Sequence, residues 1–268
     1  MAFEENKTMG DPFLLPYHTY TENPDINMFN VHFHDSYELY CFLKGSASYY
    51  IEGSTYELKP NDIIIMKQSE AHSLLMDKPE PYERITIHFN REALFDGFDE
   101  KLLPIIDSRP LGQPNKYSFS DCKNKNIIKY LKEICHCKET NEKRLYLTFV
   151  LNILSEQEPT IVRDNNNNVV DELIDYINEH LFEEMNLDLL AEKFYLSKAH
   201  LSRKFKTQIG STIWEYIITK RLIYANTLLQ NGEKATIVAS KCGFNDYCSF
   251  YRAYKARYNI SPRKKQSS

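Results

Sequence analysis

Glycine is scarce in this sequence. Only 8 of the 268 residues are glycines, so a glycine-rich phosphate-binding loop is not expected. No stretch of about 18 apolar residues occurs and the first residues are polar, so we expect neither a transmembrane helix nor a signal peptide. The 6 cysteines follow no framework spacing, which favours free thiols in a reducing cytosol.

The chain is otherwise of ordinary globular composition, with 42% hydrophobic and 26% charged residues. The net charge of −4 is unevenly distributed. Residues 193–268 hold 15 Lys and Arg but only 3 acids, whereas the remainder holds 18 and 34. A basic C-terminal segment on an acidic chain predicts an anionic partner such as nucleic acid, although a well-solvated helical surface would have the same charge.

Residues 31–89 form a series of short β-branched and aromatic segments, beginning with Val31–Phe33 and separated by turn residues. This spacing predicts an antiparallel barrel or sandwich. Residues 121–156 change to a helical period and predict two helices that follow the strands.

A polar tract without apolar periodicity comes next. It contains Pro159 and four consecutive asparagines, so we predict a linker at residues 158–169. The linker would separate a strand-rich domain at residues 1–157 from a helical domain at residues 170–268. The expected fold is therefore a two-domain α+β protein.

The C-terminal segment predicts helices and short turns only. Ser197 and Gly210 have the residue types that cap the two ends of a helix, and a long helix is expected from about Thr212 to Gln230. Two helix-turn-helix units joined by one long helix result, and the second helix of each unit is basic. The side chains assigned to the core are Leu201, Phe205, Trp214, Phe250 and Tyr254.

Residues 173–265 resemble the DNA-binding domain of the AraC/XylS family of bacterial transcription regulators. In the first helix-turn-helix the resemblance rests on Leu187, Leu190, Ala191, Ser197, Leu201, Arg203, Phe205, Lys206 and Gly210. In the long helix it rests on Tyr216, Ile217, Arg221, Leu222, Ala225, Leu228 and Leu229. In the second helix-turn-helix it rests on Ile237, Ala239, Gly243, Phe244, Asp246, Phe250, Arg252, Tyr254, Lys255, Ser261 and Pro262.

The resemblance implies which side chains contact DNA. The base-facing positions would be Ala199, Ser202 and Arg203 in one recognition helix, and Tyr247, Cys248, Tyr251 and Arg252 in the other. Arginine can bind guanine through two hydrogen bonds in the major groove. The residues suited to phosphate contacts are Lys198, Lys206 and Lys255. For each arginine a salt bridge is the alternative.

The N-terminal domain is similar to the cupin barrel, because His32, His34, Glu38 and His72 match the spacing of the cupin metal-binding motif. Three histidines and a glutamate suit Ni, Fe, Mn or Zn. The second half of the motif departs from the family, with Asn61 in the usual Pro-Gly-Asp. The same side chains, together with Tyr40, are alternatively the lining of an effector pocket without metal.

We therefore expect a cytoplasmic, ligand-responsive transcription regulator, most simply an activator, that binds double-stranded DNA as a homodimer and has no catalytic residues. The family implies a small-molecule effector such as a sugar, no membrane partner and no obligatory cofactor. One alternative is a metal-dependent cupin enzyme with a helical appendage. The other is a constitutive DNA-binding protein whose barrel only dimerises.

Overall fold

The structure is a computed structural model that describes residues 11–25, 29, 31–118, 126–161 and 168–265. Cys122 and residues 162–167, which are half of the expected linker, lie outside these residues. The chain divides into two compact units. The first comprises residues 1–29, 36–51 and 55–163, and the second comprises residues 30–35, 52–54 and 164–268.

The first unit contains two antiparallel sheets. Their strands are β1 (Leu14–Thr21), β2 (Tyr37–Lys44), β3 (Ala47–Ile51), β4 (Ser54–Glu57), β5 (Ile63–Met66), β6 (His72–Met76), β7 (Tyr82–Phe89) and β8 (Lys116–Tyr117). The larger sheet has the order β1-β7-β2-β5-β8 and the smaller one the order β4-β3-β6. The predicted strand-rich, cupin-like domain is therefore confirmed.

Two strand assignments differ from expectation. Residues 31–33 do not form a strand. They contain one isolated bridge residue, His32, and precede Asp35, whose carboxylate accepts hydrogen bonds from Asn226 and Tyr258. Strand β1 lies before the predicted strands and was not predicted; it contains Pro16. It is an edge strand, and an edge position tolerates the missing N–H of proline.

The larger sheet has two apolar faces. In β2, Leu39 and Cys41 belong to the core that the helices cover, whereas Tyr40 and Phe42 belong to a cluster between the two sheets. The helices of this unit are α1 (Phe98–Leu102), α2 (Pro104–Asp107), α3 (Ile127–His136) and α4 (Thr140–Ser155). The last two are the pair predicted within residues 121–156.

The second unit is helical from residue 169 onward. Its helices are α5 (Val169–Glu179), α6 (Leu187–Lys193), α7 (Lys198–Ile209), α8 (Ile213–Gln230), α9 (Ala235–Lys241), α10 (Tyr247–Tyr258) and α11 (Pro262–Lys265). Helix α8 begins at a capping box in which Thr212 and Glu215 satisfy each other's backbone N–H groups.

The core of the second unit contains Leu201, Phe205, Phe250 and Tyr254 as predicted, each 0% exposed. The assignment of Trp214 to this core is wrong, because its side chain is 53% exposed. On helix α8 the buried face begins with Ile213, Tyr216 and Ile217. Trp214 lies off that face, in the first turn of the helix.

Candidate DNA interface and effector pocket

Helix α7 presents one polar face to solvent. Ser197 caps its start by accepting a hydrogen bond from the His200 N–H, and Gly210 ends it in the left-handed conformation at φ 84°. Leu201 and Phe205 anchor the opposite face in the core. Of the residues expected to contact DNA, Ala199, Arg203 and Lys206 are exposed and Ser202 is half-buried.

Helix α10 is built in the same way. Asp246 caps it, accepting hydrogen bonds of 2.8 Å from the Ser249 N–H and 2.7 Å from the Ser249 hydroxyl. Asn259 ends the helix in the left-handed conformation at φ 57°. Among the expected contact residues, the exposed ones are Cys248, Arg252 and Lys255, and the half-buried ones are Tyr247 and Tyr251.

The charges on these two helices are largely unneutralised. In the described part of the chain, Arg203, Lys206, Arg252 and Lys255 have no carboxylate within the 4.0 Å that defines a salt bridge. Lys198 differs, since it pairs with Asp188 at 2.6 Å in an exposed position. Each recognition helix therefore offers free cationic groups to an anionic partner.

Helix α8 joins the two helix-turn-helix units and carries a buried arginine. The Arg221 guanidinium donates hydrogen bonds to the carbonyls of Leu181 at 2.7 Å, Glu183 at 2.7 Å and Gly243 at 2.6 Å. Burial lowers the pKa of Arg221 below its usual value. The first two carbonyls lie before the first helix-turn-helix and the third lies in the turn of the second. The Arg221 side chain therefore connects these two segments by hydrogen bonds.

Lys220, the neighbour of Arg221, is also buried. Its ammonium donates to Glu52 at 2.7 Å and to the Asn178 side chain at 2.6 Å, and both members of the ion pair are 0% exposed. Tyr216 donates its hydroxyl proton to the same Glu52 carboxylate. Sequence reasoning missed the structural role of Lys220 and Arg221, because helical periodicity alone does not distinguish a buried cation from a surface one.

In the first unit, Glu38 and His72 meet between the sheets. His72 Nε2 lies 3.3 Å from Glu38 Oε2, and His72 Nδ1 lies 2.7 Å from the Glu70 carbonyl. A carbonyl only accepts, so Nδ1 carries a proton and Nε2 faces the carboxylate. Burial opposes a charged His72, but the hydrogen bond and charge of Glu38 outweigh it and raise the pKa above 6.5.

His32 and His34 belong to the second unit, where their ring centroids lie 6.2 Å apart. His32 is exposed and His34 is half-buried. The imidazole and carboxylate donors of Glu38 and His72 fit a divalent metal, because the basic Nε2 and a carboxylate oxygen face one another. The complete set with His32 and His34 stays a prediction.

Tyr40, also expected in the effector pocket, is 2% exposed and lies between the sheets. Its hydroxyl is 2.6 Å from that of Tyr82, and Arg84 donates to the Tyr82 hydroxyl at 3.2 Å. The Arg84 guanidinium also lies 5.1 Å from the centre of the Phe29 ring. Sequence reasoning did not single out Arg84, although its alternation with Tyr82 along a strand is a visible signal.

Helices α3 and α4 leave an aromatic surface uncovered. Tyr130 stacks on Tyr146 at 5.9 Å and lies 6.2 Å from Phe149, while Leu145 and Phe149 are 48% and 56% exposed. We call these four residues the helical-pair surface. Within the ranges given above, none of the helices has the length and apolar character to cross a membrane.

Comparisons with known proteins cover both units. The profile described as an AraC-like ligand binding domain matches residues 17–147, and one described as a helix-turn-helix domain matches residues 190–267. The HTH-type transcriptional activator RhaS of Escherichia coli strain SMS-3-5 is 24% identical over 248 residues, covering 88% of this chain and 86% of the relative. RhaS of Escherichia coli O139:H28 is 37% identical over 92 residues, covering 34% and 33%.

Among solved structures, ToxT from Vibrio cholerae is 15% identical with a TM-score of 0.39, covering 95% of this chain and 98% of that protein. The DNA-binding domain of AdpA, solved with a target DNA, is 25% identical with a TM-score of 0.36, covering 38% and 92%. The two matched domains, in this order on one chain, show that the protein belongs to the AraC family of DNA-binding transcription regulators with a ligand-binding domain.

Proposed function

We propose that the protein is a ligand-responsive activator that reads DNA through helices α7 and α10. The observation that carries this proposal is the pair of exposed faces bearing Arg203 and Arg252, neither of which has a carboxylate partner among the described residues. Arg203 contacts the His200 ring, at 3.2 Å, and guanidinium groups without a carboxylate partner can bind guanine in the major groove, whereas ion-paired ones are already neutralised.

Helix α8 supports a bipartite site. Its 18 residues span about 27 Å at about 1.5 Å per residue, close to the roughly 34 Å of one DNA turn. One chain can then place α7 and α10 in successive major grooves on one side of the duplex. We expect each half-site to contain two short blocks about 10 base pairs apart, in direct rather than palindromic order within one monomer.

The protein acts as a homodimer in this proposal, through the helical-pair surface. Leu145 and Phe149 are large apolar side chains exposed side by side on α4, the kind of patch that a second subunit covers. Phe149→Glu should shift the chain from dimer to monomer in sedimentation at micromolar concentration, while Phe98→Glu, at another exposed aromatic, should leave the dimer intact. A wild-type chain that sediments as a monomer contradicts the dimer.

The ligand-binding domain would hold the effector between its two sheets, next to Glu38 and His72. A divalent metal bound to these two residues would supply Lewis acidity or a fixed positive charge there. A metal site predicts about one ion per chain after incubation with Zn²⁺ or Ni²⁺, and its loss in His72→Ala. A metal-free wild type leaves the pocket-lining role.

Binding-site selection followed by footprinting tests the central proposal. The full chain should select duplexes with two blocks and lose affinity steeply with salt, because several lysines and arginines displace counterions. A folded chain that ignores DNA at low salt would overturn the proposal. The enzyme alternative predicts turnover that depends on bound metal. The constitutive alternative predicts that no small molecule changes DNA binding. A cytoplasmic location and the lack of catalytic activity follow from the proposed role.

A further inference from the structure

Arg84 lies on the face of β7 that looks between the two sheets. Tyr82, two residues earlier on the same face, belongs to the cluster between the sheets, whereas the alternate residues Ile85 and Ile87 belong to the core beneath the helices. Arg84 is half-buried. Its contacts are the Tyr82 hydroxyl at 3.2 Å and the faces of Phe29 and Tyr82, whose ring centres lie 5.1 and 5.3 Å from the guanidinium carbon.

Arg84 differs from the other sequestered cations of this unit. Arg109 forms two hydrogen bonds with Glu70, and Lys116 pairs with Asp62 at 2.9 Å. Within the described ranges no carboxylate lies within 4.0 Å of Arg84. A charged group removed from water is stabilised by a partner of opposite charge, and hydroxyl and ring contacts replace that partner only in part.

The hydroxyl groups beside Arg84 add a hydrogen-bond donor. The oxygens of Tyr40 and Tyr82 are 2.6 Å apart, so one of their two protons is used between them. Arg84 donates to the Tyr82 oxygen, which leaves the second hydroxyl proton to donate elsewhere. Burial raises the pKa of Tyr82 above its usual value, so both hydroxyls stay protonated at neutral pH. A guanidinium and a hydroxyl donor together suit an oxyanion.

Side chains beside Arg84 on this face of the sheet are partly exposed. Arg84 is opposite Thr19 in β1, and Thr86 is opposite Tyr17, so these side chains share one face. Tyr17 is 44% exposed and Thr86 is half-buried. Phe29 packs edge-on against Tyr82 at 5.9 Å and provides an apolar wall beside the cation.

We propose that the effector is a small organic monocarboxylate with an apolar or aromatic body, its carboxylate on Arg84 and the tyrosine hydroxyls and its body against Phe29. The inference rests on the proposed ligand-responsive function and names the class of ligand. A neutral sugar leaves the guanidinium without a counter-charge. A dianionic phosphate ester is disfavoured, because one guanidinium balances only one negative charge.

The test compares carboxylates with their own amides on the full chain. Benzoate, hexanoate and octanoate are titrated beside benzamide, hexanamide and octanamide, with monosaccharides as a neutral panel, and binding is followed by calorimetry and by Tm. At least one carboxylate should bind about tenfold or more tightly than its amide, a difference of about 1.4 kcal/mol. Arg84→Gln should abolish that preference. Arg91→Gln, at an exposed arginine paired with Asp99, should retain it.

Two results would overturn the proposal. One is a wild-type chain that binds every carboxylate no better than its amide. The other is a preference that survives in Arg84→Gln. Circular dichroism and DNA binding without ligand confirm that Arg84→Gln is folded. If the wild type does not bind any DNA, the proposed regulatory function fails. If it binds DNA but prefers no carboxylate, only the ligand class fails.

Discussion

Arg221 Nη1 donates a hydrogen bond of 2.6 Å to the carbonyl oxygen of Gly243, which lies in the turn of the second helix-turn-helix. The contact requires glycine at that position. Gly243 has φ 75°, and a Cβ atom there would lie 2.6 Å from the Phe182 carbonyl oxygen and 2.9 Å from the Arg221 guanidinium carbon. The orientation of α10 relative to α8 therefore depends on one residue without a side chain.

We expect Gly243→Ala to destabilise the second unit by roughly 2–5 kcal/mol, from the left-handed backbone and the steric overlap together. Gly232→Ala is the matched control. Gly232 has a similar φ of 83° but no neighbour within 4 Å of its Cβ, so only the backbone cost of about 1 kcal/mol applies. Urea unfolding followed by circular dichroism measures both. Equal losses in the two variants would contradict the close approach.

The buried pair of Lys220 and Glu52 predicts a second stability effect. Glu52→Gln removes the counter-charge of an ammonium that is 0% exposed, so we expect a loss of about 3–5 kcal/mol. The exposed pair of Lys241 and Glu233 is the control, and Lys241→Ala should cost less than about 1 kcal/mol. A loss below 1 kcal/mol in Glu52→Gln would show that the pair does not stabilise the fold.

The same pair bears on a fragment of residues 164–268, which lacks Glu52. Lys220 would lose its carboxylate partner there, so the fragment should be less stable than the same unit in the full chain. Lys220→Met should stabilise the fragment and destabilise the full chain, since an apolar side chain replaces an unpaired charge in one and breaks an ion pair in the other. The same sign of effect in both would argue against this reading.

The two arginines should differ from Lys206 in how they affect DNA binding. Arg203→Ala and Arg252→Ala should each cost about 1–3 kcal/mol and relax sequence preference at one block only. Lys206→Ala should weaken binding to all DNA sequences similarly. It should also reduce the slope of log affinity against log salt concentration by about one unit. Repeating site selection with each variant separates the two. An even loss across all sequences would make both arginines phosphate contacts.

Cysteine alkylation reports on the base-facing side of α10. Cys248 is exposed, whereas burial raises the pKa of the Cys242 thiol to about 12. With iodoacetamide at about pH 8, Cys248 should react and Cys242 should resist, because the thiolate is the nucleophile. A selected duplex should protect Cys248, and mass spectrometry of the peptides measures this. Labelling of Cys248 that is unchanged by DNA would place this face away from the duplex.

Glu70 predicts a pH-dependent term in the stability of the first unit. It accepts hydrogen bonds from Arg109, Gly112 and Asn115. Burial alone would raise the pKa of Glu70. The charge and hydrogen bonds of Arg109 outweigh burial, so the pKa of Glu70 lies below 4.5. A carboxylate with a depressed folded pKa stabilises fully above its unfolded pKa, and that contribution is lost as the pH falls below 4.5.

The free energy difference between wild type and Glu70→Gln should therefore be largest near pH 6 and shrink as the pH falls below about 4.5. Urea unfolding of both chains across this range measures the difference. The protonation of other carboxylates affects both chains equally and therefore cancels in this difference. Glu57→Gln, at an exposed strand residue, should show no such trend. A constant difference for Glu70→Gln would mean that its charge is not stabilised by Arg109.

Much of the C-terminal architecture was predictable because its signals are local. Ser197, Thr212 and Gly210 cap helices through hydrogen bonds or backbone angles that involve a few neighbouring residues. The strand-rich domain was predictable for a similar reason, since alternation and turn residues act over short distances. The assignment of Trp214 to the core was wrong because the sequence does not show which face of a helix packs against the rest of the protein.

The sequence by itself determined the two tandem helix-turn-helix units, the long helix between them and the strand-rich domain before them. Tertiary structure decided which charged residues are buried and what they bind. Lys220 meets a carboxylate 168 positions earlier, and Arg221 reaches carbonyls about 40 residues before and 22 residues after it. Such partners are set by packing between distant segments, and the free energy of a buried charge depends on the partner rather than on the residue alone.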